Sequence, residues 1–236
     1  MKTVIITGAS RGIGLATAKL FARHDYNVVL CARDADALNE AAADVAKISK
    51  PGKVLAMSGS IAKPNFVEAL FSAAYKAFNS IDVLVNNAGI LHRAAIHELS
   101  LADWQQTLDV NLTGTFLCCQ QAFKYMSNPE QYGAIVNVSS LSGIRFVEKF
   151  TDMSAYIASK HGVVGLTESL AVEGKPFNLH VNGVAPGAVN TKMLTDHFPD
   201  FSAGAAPEDI AKLIYFLANE ETADVVNGTT LEVFCN

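Results

Sequence analysis

Seven short runs rich in Val, Ile and Leu recur along the chain, and longer stretches of helical period separate them. The runs are residues 3–7, 27–31, 53–57, 83–86, 134–138, 180–185 and 229–233; the helical stretches are 12–24, 35–49, 64–78, 103–126, 155–174 and 207–219. Runs that are almost continuously apolar, rather than alternating, belong to strands buried on both faces, as in a parallel sheet covered by helices. Pro64 and Pro207 fall at helix starts, where a missing N–H costs little, and Gly174 with Pro176 marks a helix end. No linker, repeat or low-complexity tract interrupts the pattern. Residues 1–236, half of them apolar, therefore read as one doubly wound α/β domain with a seven-stranded parallel sheet.

Composition narrows the function classes. A net charge of −5 with dispersed basic residues offers no nucleic-acid footprint, so the expected partner is a small molecule. The four cysteines, Cys31, Cys118, Cys119 and Cys235, show no C-x-x-C or disulfide-like spacing, which fits a reducing compartment. Met1-Lys2 leads straight into a strand and no apolar run reaches membrane-spanning length, so a cytoplasmic protein without membrane contact is expected. His92, His97 and Glu98 lack His-Glu-x-x-His spacing, and no metal is expected.

Two stretches carry chemistry. Directly after the first strand, Thr7-Gly8-Ala9-Ser10-Arg11-Gly12-Ile13-Gly14 opens the first helix. Glycines in such a turn allow close approach of a pyrophosphate to the backbone, and the helix N-terminus offers it free N–H groups, as in a Rossmann nucleotide site. The spacing is G-x-x-x-G-x-G rather than G-x-G-x-x-G. Further on, Tyr156 and Lys160 stand four residues apart in an amphipathic run and share a helical face. A phenol beside an ammonium is expected to have its pKa drawn down from about 10, which suits it to proton transfer. The 103–126 stretch carries Asn111 in its middle, where Asn costs helix stability and a special role is more plausible than chance.

Taken in order, the glycine turn, Asn86-Asn87-Ala88-Gly89, Asn111 within Asp109-Val-Asn-Leu-Thr-Gly114, Ser140, Tyr156-x-x-x-Lys160 and Pro186-Gly187 resemble the short-chain dehydrogenase/reductase family over essentially the whole chain. The resemblance implies a carbonyl–alcohol oxidoreductase with Asn111, Ser140, Tyr156 and Lys160 as its catalytic set. Ser140, not Ser139, would hold the carbonyl, Tyr156 would donate the proton, and Lys160 would grip the nicotinamide ribose. Asn111 would help hold a water in a relay to Lys160. For the cofactor it implies contacts from Gly8, Ser10, Arg11, Gly12, Ile13 and Gly14, and from Asn87, Ala88 and Gly89. Tyr156 and Lys160 would share in that binding, as would Pro186, Gly187, Val189 and Thr191 at the carboxamide end. Ser60-Ile61 stands where the family commonly has Asp-Val near the adenine, which puts cofactor affinity in question. At the end of the second strand Ala32 replaces the acid that favours NAD, and Arg33 with Arg11 suits a 2′-phosphate, so NADP(H) is expected over NAD(H).

Other departures bear on substrate and assembly. The stretch between Ser140 and Tyr156 exceeds the family's usual length by about three residues, and Phe146, Phe150 and Met153 within it are candidate walls for an apolar substrate. The 192–206 lid is short, which suggests an open site, and the tail lacks the usual acidic-glycine ending. The family commonly assembles as homo-tetramers or dimers through helices equivalent to 103–126 and 155–174. The expected function is NADP(H)-dependent interconversion of a carbonyl and an alcohol; the alternatives are a non-catalytic NADP-binding regulator and an oxoacyl-thioester reductase.

Overall fold

The computed structural model describes residues 1–50 and 53–235. Its strands are β1 (Thr3–Thr7), β2 (Asn27–Ala32), β3 (Val54–Ser58), β4 (Val83–Asn86), β5 (Gly133–Val138), β6 (Leu179–Pro186) and β7 (Thr230–Val233). They form one seven-stranded sheet in the order β3-β2-β1-β4-β5-β6-β7, and every pairing is parallel. The helices are α1 (Gly12–Arg23), α2 (Ala35–Ala46), α3 (Pro64–Phe78), α4 (Leu101–Leu108), α5 (Gly114–Met126), α6 (Ser154–Gly174), α7 (Lys192–His197), α8 (Pro207–Ala218) and α9 (Glu220–Ala223).

The apolar strands divide their side chains between two cores, because successive residues point to opposite faces. Val4, Ile6, Val28, Leu30, Val83, Val85 and Val136 pack on one face with Phe21 of α1 and Ile210 and Ile214 of α8. Ile5, Val29, Leu84 and Ile135 pack on the other face with Leu70 and Phe71 of α3 and Cys118 of α5. Adjacent strands are in phase, with Ile5 opposite both Val29 and Leu84, so a slip of one residue would exchange the two cores.

Three features depart from the sequence reading. The expected 103–126 helix is broken: α4 runs into a π-helical segment, Asp109–Thr113, before α5 begins. The Thr115 hydroxyl donates to the Asn111 carbonyl at 2.8 Å, a side-chain bond that competes with the ordinary helical one. The short helices α7 and α9 are too brief to show a period. The third departure is α6, whose buried stripe is Ala155, Ser159, Lys160, Val163, Thr167, Ala171 and Gly174, small and polar rather than apolar, while Val172 is exposed. It is not an ordinary amphipathic helix, because it lays its inner face against a polar site. The end of the unusual tail, Asn236, lies outside the described residues.

Strand order reverses between β1 and β4, and ligands of open α/β sheets bind at such a switch point, beyond the carboxyl ends of the strands. A buried polar chain fixes those ends: Asn86 Nδ2 donates to Asn137 Oδ1 at 2.9 Å, and Asn137 Nδ2 donates to the Thr167 hydroxyl at 2.9 Å. It ties β4 to β5 and β5 to α6.

Phe71 is 0% exposed and Val225 87% exposed. Phe71→Ala is expected to destabilise the fold by about 3–5 kcal/mol in urea unfolding, and Val225→Ala to stay within about 0.5 kcal/mol. Equal losses at both positions would contradict this placement of the core.

Candidate active site

A cleft of about 1120 Å³ opens over the carboxyl ends of β1, β4, β5 and β6, larger than the few hundred to 1,000 Å³ of a typical small-ligand pocket. Its size suits a dinucleotide with a second molecule beside it.

The glycine turn forms one wall. Gly8 has φ +64°, and a Cβ there would lie 2.8 Å from the Ala88 Cα, so both conformation and contact require glycine. Gly14 lies beneath the surface, where a Cβ would stand 2.4 Å from the Gly8 carbonyl oxygen. Arg11 is extended at the start of α1 and no side chain caps the helix, leaving its first N–H groups and positive dipole end for an anion. Ser10, Gly12 and Ile13 line the cleft beside it. Asn87 Nδ2 donates to the carbonyls of Thr7 and Gly8 at 3.0 and 3.1 Å, and the Thr7 hydroxyl oxygen accepts from the N–H groups of Asn87 and Ala88 at 3.0 Å each. Asn87 and Ala88 thus lock the turn to β4, and with Gly89 they face the cleft. The turn is a cradle that fits a dinucleotide phosphate.

At the end of β2, Arg33 lines the cleft with no carboxylate within 4 Å among the described residues. Arg11 is different: its guanidinium pairs with Asp34 at 3.0 Å, and Asp34 also accepts from the Ala37 N–H as the cap of α2. Only one of the two expected cations is therefore unpaired. Ser60 lines the cleft while its hydroxyl oxygen accepts from the Ala62 N–H at 3.3 Å; Ile61, also in the lining, is buried. Pro186, Gly187, Val189 and Thr191 form the wall beyond β6.

At the other end of the cleft Ser140, Tyr156 and Lys160 come together. Ser140 caps a 3-10 turn, Leu141–Gly143, its oxygen accepting from the Ser142 N–H at 3.1 Å, so its hydroxyl proton is available to a carbonyl oxygen. Ser139 is buried and donates to the Lys160 carbonyl at 2.9 Å. Lys160 is buried and donates to the Val138 carbonyl at 2.7 Å, its Nζ 5.6 Å from the Tyr156 ring centroid. Burial pulls its pKa down to about 8. Burial also raises the Tyr156 pKa, partly offset by the nearby Ser140 hydroxyl. This reverses the expected direction: desolvation of the phenolate outweighs any help from the ammonium, and the phenol is held protonated at neutral pH.

Asn111 is not on the cleft surface. Its Oδ1 accepts from the Ile90 N–H at 2.8 Å, and its Nδ2 donates to the Ile90 carbonyl at 2.9 Å and the Ser159 hydroxyl at 3.0 Å. Ser159 in turn donates to the Tyr156 carbonyl at 2.7 Å. The amide braces the loop after β4 against the Tyr156 turn of α6, and the π segment sets it there; such segments are frequent at functional sites.

Sequence reasoning missed Ser159 and the outer wall of the cleft. Leu91, Phe198 and Phe201 join Phe150 and Met153 there, but Phe146 does not. Phe146 is 99% exposed with φ +63°, its ring turned to Arg145 at 5.2 Å. Within the short lid, Phe198 and Phe201 lie against Phe150. Among the described residues no group of His, Cys, Asp and Glu could hold a metal ion, and no helix is long and apolar enough to cross a membrane.

Residues 2–201 match the family model described as short chain dehydrogenase. A 3beta-hydroxysteroid dehydrogenase 1 of Eggerthella lenta is 37% identical over 245 residues, covering 98% of this chain and 92% of that protein. The crystal structure of a 3-ketoacyl-(acyl-carrier-protein) reductase from Brucella melitensis complexed with NADH superposes with a TM-score of 0.88 at 29% identity, covering 98% and 96% of the two chains. An actinorhodin polyketide ketoreductase solved with NADPH gives 0.89 at 29% identity, covering 98% and 95%.

Lys160 loses its proton near pH 8 when folded but keeps it to about 10.4 when unfolded. Between those values the unfolded state binds more protons, so stability rises with pH. Lys160→Met is expected to lack this rise, worth about 3 kcal/mol from pH 7.5 to 10.5, in urea unfolding of both proteins across that window. An identical pH dependence in the two would show that Lys160 is not held in a desolvated place.

Proposed function

This chain belongs to the short chain dehydrogenase family, and from that premise we propose that it interconverts a carbonyl compound and its alcohol with NADP(H). The observation that carries the proposal is the convergence of the Ser140 hydroxyl, the Tyr156 phenol and the Lys160 ammonium at one end of a cleft whose other end is the glycine turn.

The nicotinamide cofactor, when bound, supplies or takes up the hydride. In reduction, Ser140 donates its hydroxyl proton to the substrate oxygen as a hydrogen bond and stabilises the negative charge that develops there. Tyr156, protonated at neutral pH because it is desolvated, transfers its proton to that oxygen. Oxidation of an alcohol needs the phenolate instead and is favoured by higher pH. Lys160, on the same helical face one turn on, holds the cofactor ribose and restores positive charge beside the phenol. Asn111 positions this group by bracing Ile90 against Ser159, and the uncapped start of α1 takes the pyrophosphate.

NADP(H) is favoured by Ala32 at the end of β2 and by Arg33 beside it, unpaired and in the cleft. Asp34 works against this preference by holding Arg11 at 3.0 Å. The two solved relatives were found with NADH in one case and NADPH in the other, so the residues of this chain must carry the distinction. A homo-oligomeric state is supported by the exposure of Phe116 on α5 and Val172 on α6, large apolar groups on neighbouring helices.

Fluorescence titration with NADPH and NADH, followed by a panel of aldehydes and ketones in the same cuvettes, tests the proposal. NADPH is expected to bind more tightly and to be oxidised by some member of the panel. Tyr156→Phe is expected to lower turnover by about 10²–10⁴-fold with NADPH affinity nearly unchanged; near wild-type turnover would remove the proposed acid. Arg33→Ala is expected to weaken NADPH binding by about tenfold or more, the scale of one charge-assisted hydrogen bond, and to spare NADH. Equal effects on both cofactors would refute the assignment of Arg33 to a 2′-phosphate.

A further inference from the structure

The outer end of the cleft bears on which carbonyl compound it takes, provided that the chain is the oxidoreductase proposed for it. Three loops meet there. Phe150 comes from the segment between β5 and α6, Phe198 and Phe201 follow α7, and Arg93 lies in the segment after β4. Phe150 and Phe198 have ring centroids 5.4 Å apart at 51°, and Phe150 and Phe201 are 6.2 Å apart at 87°. Phe150 and Phe201 are nevertheless 52% and 45% exposed, so they are not core residues: they present apolar surface at the mouth of a cleft. Buried Leu91 and Met153 continue that surface inward.

The charges near these rings are already engaged. Arg93 donates to the His197 carbonyl at 2.8 Å, lies 3.7 Å from the Asp152 carboxylate, and sits over the Phe198 ring at 4.5 Å. One guanidinium thus latches the lid to the other two loops. Lys192 pairs with Asp196 at 2.9 Å, His92 is hydrogen-bonded to Gln106 at 2.9 Å, and burial lowers the His197 pKa, keeping that ring neutral. Glu148 is the cleft-lining charge at this end with no ion-pair partner within 4 Å among the described residues, and it repels anions. Among the described residues that line this end no cation is left without a partner to receive a carboxylate or phosphate. Arg145 and Lys149 of the same segment stand outside the lining, the first over the Phe146 ring and the second donating to the carbonyls of Leu141 and Ile144, while the aromatic faces favour an uncharged apolar body.

We infer that the substrate is a neutral, largely apolar ring ketone, or the matching secondary alcohol, held in the aromatic corner of Phe150, Phe198 and Phe201 with Arg93 as the latch of the lid. A tilted ring pair beside an edge-to-face pair offers a face on one wall and an edge on the other. A rigid ring system fills that corner without the loss of torsional freedom that immobilising a flexible chain entails. The carbonyl then points inward to Ser140 and Tyr156, and the hydrocarbon part stays under the lid.

The test compares 2-decalone, 4-oxocyclohexanecarboxylate and an acetoacetyl thioester as substrates of the NADPH-loaded enzyme. The neutral bicyclic ketone is expected to give at least a tenfold higher kcat/KM than either of the others. Phe198→Ala and Phe201→Ala are each expected to raise its KM about tenfold while kcat changes less than threefold. Preference for the carboxylate or the thioester, or an unchanged KM in both variants, would overturn the inference. A binding arm separates the two levels: calorimetry of 2-decalone on the NADPH complex of Tyr156→Phe. Binding there that is lost in Tyr156→Phe/Phe198→Ala upholds the aromatic corner even where the wild type oxidises no NADPH, in which case the oxidoreductase reading alone fails. No binding to Tyr156→Phe removes the aromatic corner itself.

Discussion

A lysine ammonium only 4% exposed must be given oxygen acceptors, and the architecture of the site depends on how Lys160 is accommodated. The Val138 carbonyl, at the last residue of β5, accepts from its Nζ, and the Ser139 hydroxyl reaches back to its own carbonyl. α6 can approach the sheet this closely because its inner face is made of small residues and because Gly143 faces it, where a Cβ would lie 2.6 Å from the Lys160 carbonyl oxygen. From the other side, a Cβ on Gly89 would lie 3.5 Å from Asn111 Oδ1 and 3.7 Å from Lys160 Nζ. The ends of β4 and β5, the 3-10 turn at Ser140 and the π segment at Asn111 therefore converge on one side chain. Sequence features that look unrelated serve one packing problem.

The same burial sets the chemistry. Desolvation disfavours the charged form of each group, so it moves the Tyr156 phenol up and the Lys160 ammonium down. The two shifts bring a proton donor that stays loaded at neutral pH beside a cation whose charge is labile near pH 8. An anionic group arriving beside Lys160 stabilises the ammonium form, and the ammonium in turn stabilises a phenolate formed after proton transfer.

Much of the fold was legible because its signal is local. Central parallel strands buried on both faces are continuous apolar runs, and their observed limits differ from the expected ones by a residue or so. The break at Asp109–Thr113 was not legible, since it depends on a hydroxyl competing for a carbonyl within a stretch of otherwise helical pattern. Tyr156 and Lys160 were singled out by type and spacing and Ser140 by the family resemblance, and all three line one cleft, but the direction of the Tyr156 shift was not legible, because spacing reports a nearby charge and not the dryness around it. The outer wall was hidden for a different reason. Arg93 and the His197 carbonyl are 104 positions apart in the chain, and neither has a local pattern. Phe146 misled because a phenylalanine three residues past the 3-10 turn gives no sign of which way its backbone turns; its φ of +63° carries the ring out to solvent.

The two ends of the cleft use guanidinium–carboxylate pairs in the same way, and the energetics of such pairs explain why. Arg11–Asp34 is solvent-exposed and Arg93–Asp152 partly so, with separations of 3.0 and 3.7 Å. Pairs of this kind contribute about 0–1 kcal/mol to stability, too little to be what holds the fold. Their weakness fits them to the rim of a binding site. An anion arriving at the glycine turn can compete with Asp34 for Arg11 at little cost, and Arg93 holds the lid by its hydrogen bond to the His197 carbonyl as well as by Asp152. The rigid contacts lie at the buried lysine, and the adjustable ones lie where ligands must enter and leave.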